Sequence, residues 1–289
     1  MSDILVLIGD PARAALPAIL ERLAAAAGSR FRWLAPGEAC EFDPAPPRRL
    51  DPALDDALSG VPHDRAILPR DPRLIRLLVS DMDSTMITVE CIDELADLVG
   101  VKSEVAAITR RAMNGELDFE AALHARVALL EGLEETVFEE IWRTRVELMP
   151  GALTLIRTMR RLGGRTVLVS GGFLPIVARV ADALGFDRAE ANVLEVRAGR
   201  LTGRVVPPVR GARHKLEVLR EERARAELGA AATLAIGDGA NDLEMLNEAG
   251  LGVAFRAQPR VAARARVSIK VGDLSAMLYL QGVTRSEFV

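Results

Sequence analysis

The 289-residue sequence predicts an α/β protein whose core is a doubly wound parallel sheet, joined to a small N-terminal α+β domain. Short apolar strands alternate with helices in the second half of the chain, as in parallel sheets that are covered on both faces. Helical periodicity over residues 89–145 predicts a helical segment inserted into that core. The length fits about two domains.

The first 70 residues predict a small α+β domain with the element order β-α-β-β-α-β. Apolar runs indicate its strands and helices, and a Pro-rich stretch separates the two halves. The located elements are a strand at 3–8, a helix at 12–26, a strand at 31–34, a helix near 51–58 and a strand near 64–68. We therefore expect residues 1–70 to form one domain and residues 71–289 the other.

The strands and helices of the predicted core follow from residue 74 onward. The strands lie at 74–80, 165–170, 232–238, 251–255 and 266–271, with a hairpin of residues 191–197 and 200–206. The helices that alternate with them lie at 173–185, 212–228, 240–250 and near 273–281. In sheets of this kind a ligand binds at the carboxyl ends of the strands.

Composition and charge argue against several classes of function. The net charge of −4 provides no basic surface for nucleic acid. No apolar run approaches the roughly 20 residues of a membrane-spanning helix, and the acidic N-terminal segment does not resemble a signal peptide. Cys40 and Cys91 are the only cysteines and do not make a disulfide framework, so we expect a reducing cytoplasm.

Polar side chains follow three of the predicted core strands. In chain order they are Asp81 and Asp83, then Ser170 and Gly171, then Asp238, Asn241 and Asp242. Lys215 lies near the start of a predicted helix. If the strands are neighbours, all of these groups converge on one crevice at the carboxyl edge of the sheet.

Asp81 and Asp83 lie two residues apart on an extended segment, so both can face the same side. Two carboxylates this close resist joint ionisation unless a cation lies between them. Asp238 adds a third carboxylate, and a hard cation such as Mg²⁺ prefers oxygen ligands of this kind. Helix-capping aspartates are an equally good interpretation of the Asp81–Asp83 pair taken alone.

Ser170 and Gly171 offer a hydroxyl and backbone N–H groups to an anion at the start of a helix, although a plain N-cap is commoner for such a fragment. Lys215 supplies a point charge suited to a phosphate oxygen. A nucleophile, a metal site, a phosphate cradle and a cation together indicate phosphoryl transfer.

Other catalytic designs lack their defining residues. Neither cysteine has an Arg six residues on, as a cysteine-nucleophile phosphatase would need. Ser170 lacks the G-x-S-x-G context of a hydrolase nucleophile, and the glycines form neither a nucleotide nor a dinucleotide loop. The three histidines, His63, His124 and His214, form no cluster for zinc.

Four segments, in the right order, resemble the motifs of the haloacid dehalogenase superfamily. They are DMDST at 81–85, VSGGF at 169–173, Lys215, and GDGANDLEML at 237–246. Within that superfamily the spacers are similar to those of phosphoserine phosphatases. The resemblance covers about residues 74–282 and implies a Rossmannoid core with a helical cap at about 88–147. Residues 1–70 resemble ligand-binding, ACT-like domains in element order alone.

The resemblance implies a role for each motif residue. Asp81 would attack phosphorus to form an aspartyl phosphate, and Asp83 would serve first as acid and then as base. Mg²⁺ would be bound by the Asp81 carboxylate, the Asp83 backbone carbonyl and Asp238, with Asp242 in support. The phosphate would be held by Ser170, Gly171, Lys215 and Asn241.

The resemblance also implies that the cap selects the substrate. Glu90 would bind the ammonium group of O-phosphoserine and Arg126 its carboxylate, because an Arg fork suits a carboxylate. Phe119 would wall the pocket. Without the resemblance, Glu90 and Arg126 are more simply interpreted as charges on a surface helix pair.

The function that this implies is hydrolysis of O-phospho-L-serine to L-serine and phosphate, the last step of serine biosynthesis. Three alternatives stay open: transfer of phosphate to another hydroxyl acceptor, action on another small phosphomonoester, and a non-catalytic, serine-binding regulatory role through residues 1–70. The expected partner is a small molecule, with neither nucleic acid nor membrane, and a homodimer is left open.

Overall fold

The structure, a computed structural model, describes residues 3–113 and 116–289. Its strands form a four-stranded sheet near the N-terminus and a seven-stranded sheet in the rest of the chain. Within those described residues, no helix is both long enough and apolar enough to cross a membrane.

The N-terminal sheet has the predicted element order. The elements are β1 (Asp3–Gly9), α1 (Ile19–Ala27), β2 (Arg30–Ala35), β3 (Ala39–Asp43), α2 (Asp51–Ala57) and β4 (His63–Pro69). The strands are antiparallel in the order β2-β3-β1-β4, the arrangement of a split β-α-β unit. The prediction of a helix over 12–18 was wrong, because Pro17 lacks an N–H and suits only the beginning of a helix.

Strand β1 lies inside this sheet and is buried on both faces. Leu5 and Leu7 belong to a cluster with apolar residues of α1 and α2. Ile4, Val6 and Ile8 belong instead to the hydrophobic cluster that also contains the core of the seven-stranded sheet. Since side chains alternate across a strand, the N-terminal sheet is sandwiched between its own helices and the rest of the protein.

Polar contacts fix the same interface. The buried Asp64 carboxylate in β4 accepts three backbone N–H bonds, from Lys270 at 2.8 Å, Val271 at 3.0 Å and Gly272 at 2.8 Å. The Tyr279 hydroxyl donates to Glu38 Oε1 at 2.9 Å. The N-terminal sheet is therefore attached through satisfied buried polar groups as well as through apolar packing.

The seven-stranded sheet confirms the predicted α/β fold. Its strands are β5 (Leu77–Ser80), β6 (Arg165–Phe173), β7 (Arg188–Arg197), β8 (Arg200–Val206), β9 (Thr233–Gly237), β10 (Leu251–Phe255) and β11 (Val267–Ile269). They lie in the order β11-β10-β9-β5-β6-β7-β8, and all neighbours are parallel except β7 and β8. Chain order reverses around the central β5, which is where such sheets bind ligands.

Helices cover both faces of this sheet. They are α7 (Ala152–Arg161), α8 (Leu174–Leu184), α9 (Ala212–Arg225), α10 (Leu243–Glu248), α11 (Pro259–Ala262) and α12 (Ala276–Leu280). The apolar residues of β5 alternate between the two layers: Leu78 packs on one side, and Leu77 and Val79 on the other.

The described part of the inserted segment contains four helices above the carboxyl edge of the sheet. These are α3 (Cys91–Leu98), α4 (Lys102–Met113), α5 (Phe119–Ala128) and α6 (Val137–Thr144). The two chain passages that connect them to the core run side by side. Ile87 and Leu148 form an antiparallel bridge, and the Met149 N–H donates to the Met86 carbonyl at 2.9 Å.

Candidate active site

A cavity of about 440 Å³ lies between the carboxyl edge of the seven-stranded sheet and the inserted helices. The predicted site residues that line it are Asp81, Asp83, Glu90, Phe119, Arg126, Gly171, Asp238 and Asn241. The other three, Ser170, Lys215 and Asp242, are buried beneath it. The sheet topology and the inserted helices thus bring together all of the predicted site residues.

Asp81 occupies the end of the central strand. Its N–H donates to the Ile236 carbonyl at 3.0 Å, which continues the pairing with β9. Its Oδ1 accepts from the Met82 N–H at 2.8 Å and lies 2.7 Å from Lys215 Nζ. Burial and the nearby charge of Asp242 raise the pKa of Asp81 well above its usual value, although Lys215 opposes the shift.

Lys215 is a fully buried cation in the first turn of α9. Its Nζ lies 2.7 Å from both Asp81 Oδ1 and Asp242 Oδ1. Burial alone would lower the pKa of Lys215, but the charges of Asp242 and Asp81 outweigh it and raise the pKa. The ammonium group is therefore held charged directly beneath the cavity.

The Asp83 carboxylate contacts the end of β6 and the start of α3 rather than the other aspartates. Its Oδ1 accepts from the Cys91 N–H at 2.9 Å, at the start of α3, and its Oδ2 accepts from the Ser170 hydroxyl at 3.2 Å. Burial raises the pKa of Asp83, and the hydrogen bonds from Cys91 and Ser170 work against that rise. These bonds fix the carboxylate on the cavity floor.

Three carboxylates form an all-oxygen cluster. One oxygen from each of Asp81, Asp238 and Asp242 lies within 4.8 Å of the others. Burial raises the pKa of Asp238 to about 6, with a smaller contribution from the charge of Asp242. Closely spaced carboxylates that resist joint ionisation fit a hard divalent cation, so the donor set suits a metal of this class.

Asp242 also holds neighbouring groups of this cluster in place through hydrogen bonds. Its Oδ1 accepts from Lys215, and its Oδ2 accepts from the Gly239 N–H at 3.0 Å. A Cβ on Gly237 would lie 2.3 Å from Asp242 Cγ, so only glycine fits at the end of β9. Asp242 therefore orients Lys215 and the turn after β9.

The predicted phosphate cradle lies at the end of β6. The Gly172 N–H donates to the Ser170 hydroxyl oxygen at 2.8 Å. Gly171 lines the cavity, and its carbonyl accepts from Asn192 Nδ2 at 2.8 Å. The hydroxyl of Ser170 thus links the glycine turn to Asp83.

The cap places opposite charges above this floor. Glu90 accepts a hydrogen bond from the Ser84 hydroxyl at 2.6 Å; burial and the charge of Asp83 raise the pKa of Glu90 to about 7. Arg126 donates from Nε to the Ala122 carbonyl at 3.2 Å. Burial lowers the pKa of Arg126, against the opposing influence of nearby acidic groups.

Sequence reasoning missed several residues of the site. Asn192 holds the Gly171 carbonyl, the Thr85 hydroxyl donates to Asp238 Oδ1 at 3.2 Å, and Thr109 and Arg260 line the cavity. Thr85 lies inside a motif that was recognised and could have been found there. Asn192 carried only a weak signal, because β7 contains several other polar residues, Arg188, Glu190, Glu195 and Arg197.

The chain is similar to known hydrolases. The family model of haloacid dehalogenase-like hydrolases matches residues 78–247. A phosphoserine phosphatase of Streptomyces coelicolor is 50% identical over 215 residues, which are 74% of this chain and 52% of that protein. This chain therefore spans about half the length of that relative.

Solved structures of phosphoserine phosphatases are similar to this chain in fold and sequence. A probable phosphoserine phosphatase from Vibrio cholerae, unliganded, has a TM-score of 0.79 at 32% identity and covers 99% of this chain and 88% of its own. A phosphoserine phosphatase solved as a phospho-aspartyl intermediate analogue has a TM-score of 0.66 at 38% identity, over 71% of this chain and 98% of its own.

Proposed function

Because this chain belongs to the haloacid dehalogenase-like hydrolase family, we propose that it is a phosphoserine phosphatase. It hydrolyses O-phospho-L-serine to L-serine and phosphate through an aspartyl phosphate on Asp81, completing serine biosynthesis. The observation that carries this proposal is the single cavity that holds Asp81 and Asp83 on its floor and Glu90 and Arg126 on its cap. The names of the similar proteins support the same substrate.

In the first step, a carboxylate oxygen of Asp81 attacks phosphorus. The new bond joins that oxygen to phosphorus as the bond between phosphorus and the serine oxygen breaks. Asp83, fixed by Cys91 and Ser170, donates a proton to the leaving oxygen. Serine then departs as a neutral alcohol.

In the second step, water hydrolyses the aspartyl phosphate. Asp83 takes a proton from the water as the water oxygen attacks phosphorus, and the bond between phosphorus and Asp81 breaks. Lys215 and the Ser170–Gly172 turn hold the phosphate oxygens through both steps. Lys215 also keeps Asp81 in place from below.

Mg²⁺ is the metal that we propose for the oxygen cluster. Asp81, Asp238 and the backbone carbonyl of Asp83 would hold it, and Asp242 would support it through the turn after β9. When bound, it neutralises charge on the phosphate and lets the carboxylates stay ionised together.

The cap supplies recognition of a zwitterion. Glu90 binds the substrate ammonium, Arg126 binds the carboxylate, and Phe119 closes the apolar wall. A cavity with one acidic and one basic cap residue fits an amino-acid phosphate, which carries both charges, better than a phosphomonoester that carries only negative charge. This preference distinguishes phosphoserine from other small phosphate esters.

We also propose that residues 1–70 and 71–289 are separate domains, that residues 88–147 form the cap, and that the enzyme acts in the cytoplasm. Amino-acid binding by the N-terminal domain and a homodimer stay predictions. The helix-free face of the N-terminal sheet packs on the catalytic domain, so that face is not available to a ligand.

Phosphate release from O-phospho-L-serine tests the proposal. Purified protein is assayed with Mg²⁺ and with EDTA, beside an Asp81→Asn variant that keeps the size of the side chain. We expect release that needs the metal and that is lost in the variant. L-Homoserine added to the reaction reports phosphate transfer to another acceptor.

A folded wild-type protein that releases no phosphate from phosphoserine would overturn the substrate assignment. Release from p-nitrophenyl phosphate in that case would keep the phospho-aspartate mechanism for another ester. No release from either substrate would favour a non-catalytic role.

A further inference from the structure

The inserted segment contacts the core at a second place, away from its two connecting passages. The loop between α5 and α6 runs beside the hairpin of β7 and β8. The Gly132 N–H donates to the Leu201 carbonyl, and the Leu201 N–H donates to the Leu133 carbonyl, each at 2.8 Å. The Glu135 N–H donates to the Gly199 carbonyl at 2.9 Å. The loop and the hairpin are therefore joined by backbone hydrogen bonds like those of neighbouring strands.

The Arg200 side chain adds to this contact. Its guanidinium donates from Nη1 to the Gly132 carbonyl at 2.8 Å and from Nη2 to Glu134 Oε1 at 2.7 Å. The side chains of Arg200 and Glu134 are mostly exposed, so their ion pair stabilises the fold only slightly. Its effect is geometric, because a planar guanidinium that bonds two groups fixes where they lie relative to β8.

Helix α5 also packs directly on β8. Gly203 is a position of close approach: a Cβ there would lie 3.1 Å from Glu131 Cβ and 3.3 Å from both Cα and the carbonyl oxygen of Ala128. Ala128 is the last residue of α5, and its backbone atoms can move away only if the end of the helix moves. A side chain at position 203 would therefore displace α5 from the hairpin.

Arg126 lies on the same part of α5, two residues before Ala128, and lines the cavity. In the proposed function, its guanidinium binds the substrate carboxylate. The Nε atom of Arg126 bonds the Ala122 carbonyl one turn earlier in the helix. This bond fixes the guanidinium to α5, so a displacement of the helix moves the guanidinium with it.

We propose that the hairpin of β7 and β8 positions Arg126, by holding α5 where the guanidinium reaches the substrate carboxylate. Gly203 and Arg200 are then positioning residues for substrate recognition, and both act through the helix. The inference rests on the proposed function, because it assumes a substrate with a carboxylate. Asp81 and Asp83 are held instead by β9, Lys215 and the ends of β6 and α3.

Two alanine substitutions in the hairpin separate the contact with α5 from backbone strain. Gly199 and Gly203 both have a φ of 74°, so Gly199→Ala and Gly203→Ala place a side chain in the same left-handed conformation. Among the described residues, a Cβ on Gly199 would meet nothing within 4 Å, whereas one on Gly203 would press against α5. Arg200→Met removes the guanidinium bonds without adding a side chain at either glycine.

Each protein is assayed with O-phospho-L-serine and with O-phosphoethanolamine, which has the phosphate and ammonium but no carboxylate. We expect Gly203→Ala to lower kcat/KM for phosphoserine about tenfold, because a misplacement of about 1 Å can lower a rate about a hundredfold and this contact requires a smaller one. The loss should appear mainly in KM, since the disturbed group binds the substrate and does not transfer phosphate.

The value of kcat/KM for phosphoethanolamine should stay within about twofold in every variant, because this substrate has no carboxylate for Arg126. Gly199→Ala should match the wild type on both substrates. Arg200→Met should lower kcat/KM for phosphoserine by about threefold, within the range for an exposed ion pair.

An unchanged ratio of the two kcat/KM values in Gly203→Ala would overturn the role of the hairpin, whether neither substrate or both are affected. An equal fall of that ratio in Gly199→Ala would also overturn it, because backbone strain would then explain the loss. If Gly203→Ala does not fold, the same ratio in Arg200→Met decides the question. A wild type that is inactive on phosphoserine would instead overturn the proposed function, and the carboxylate ligand with it.

Discussion

Asn192 connects the end of β6 to the loop that leads into α9. This fully buried side chain in β7 donates from Nδ2 to the Gly171 carbonyl at 2.8 Å and to the Arg210 carbonyl at 3.0 Å. Its Oδ1 accepts from the Arg210 N–H at 2.7 Å. Lys215 follows within the first turn of that helix. One amide thus fixes two parts of the site relative to each other.

Asn192→Leu replaces the amide with an apolar side chain of similar size. It removes three neutral hydrogen bonds, each worth about 1 kcal/mol net, so we expect the free energy of unfolding to fall by roughly 3 kcal/mol. A shift of about 1 Å in a positioning group can lower a rate about a hundredfold. We therefore expect kcat to fall by about that factor, with weaker inhibition by inorganic phosphate.

Urea unfolding, steady-state kinetics and phosphate inhibition measure these effects. Thr166→Val is the matched control, because the buried Thr166 hydroxyl bonds Asp187 Oδ2 at 3.1 Å at the other end of the sheet. The control should lose stability and keep kcat. The reasoning fails if Asn192→Leu loses stability to the same extent and keeps both kcat and phosphate affinity.

Three further predictions concern charge. Lys215→Met should lower kcat at least about a hundredfold and destabilise the fold, because two buried carboxylates lose their shared cation. A variant whose kcat equals that of the wild type in steady-state assays would contradict this prediction. Mg²⁺ should raise the unfolding temperature of the wild type, because binding to the folded state stabilises it by about 2.7 kcal/mol at a Mg²⁺ concentration of a hundred times Kd. The rise should be much smaller in Asp238→Asn. An equal rise in both proteins would show that Asp238 is not a metal ligand. Burial alone would raise the pKa of Glu222, but hydrogen bonds from Arg165 and Arg188 outweigh it and lower that pKa. Glu222 therefore stabilises the fold above the unfolded-state pKa of about 4.3 and loses that effect as pH falls through its folded-state pKa. Urea unfolding of Glu222→Gln should show a deficit at pH 7 that shrinks in acid; a deficit independent of pH would refute it.

The sequence predicted the core sheet because each strand is short, apolar and followed by a helix. The strand predicted at 251–255 matches β10 at both ends. The strand predicted at 232–238 is β9, which is shorter by one residue at each end. Predicted boundaries were less accurate where turn chemistry decides them, as at Pro17. The polar residues at the strand ends could be predicted to converge, because parallel strands share a carboxyl edge.

Contacts between distant parts of the chain could not be predicted in the same way. Asp64 accepts its hydrogen bonds from residues more than 200 positions away, and no local pattern distinguishes it from a surface aspartate. Asn192 depends likewise on Gly171 and Arg210, which reach it only through the fold. Thr109 has the local pattern of an ordinary helix residue, and its place in the cavity wall follows only from the fold.

Gly171 is required by a contact with the inserted helices that its sequence motif does not reveal. Gly171 has no side chain partly because the Phe119 ring of the cap lies against it: a Cβ there would be 3.2 Å from Phe119 Cζ. Gly211 directly precedes α9, and a Cβ on it would lie 2.9 Å from the same ring. Gly171, near the end of β6, and Gly211, just before α9, thus leave room for the same ring of the inserted helices. Because the ring also lines the cavity, the end of β6 and the start of α9 together limit how closely the inserted helices approach the cavity floor.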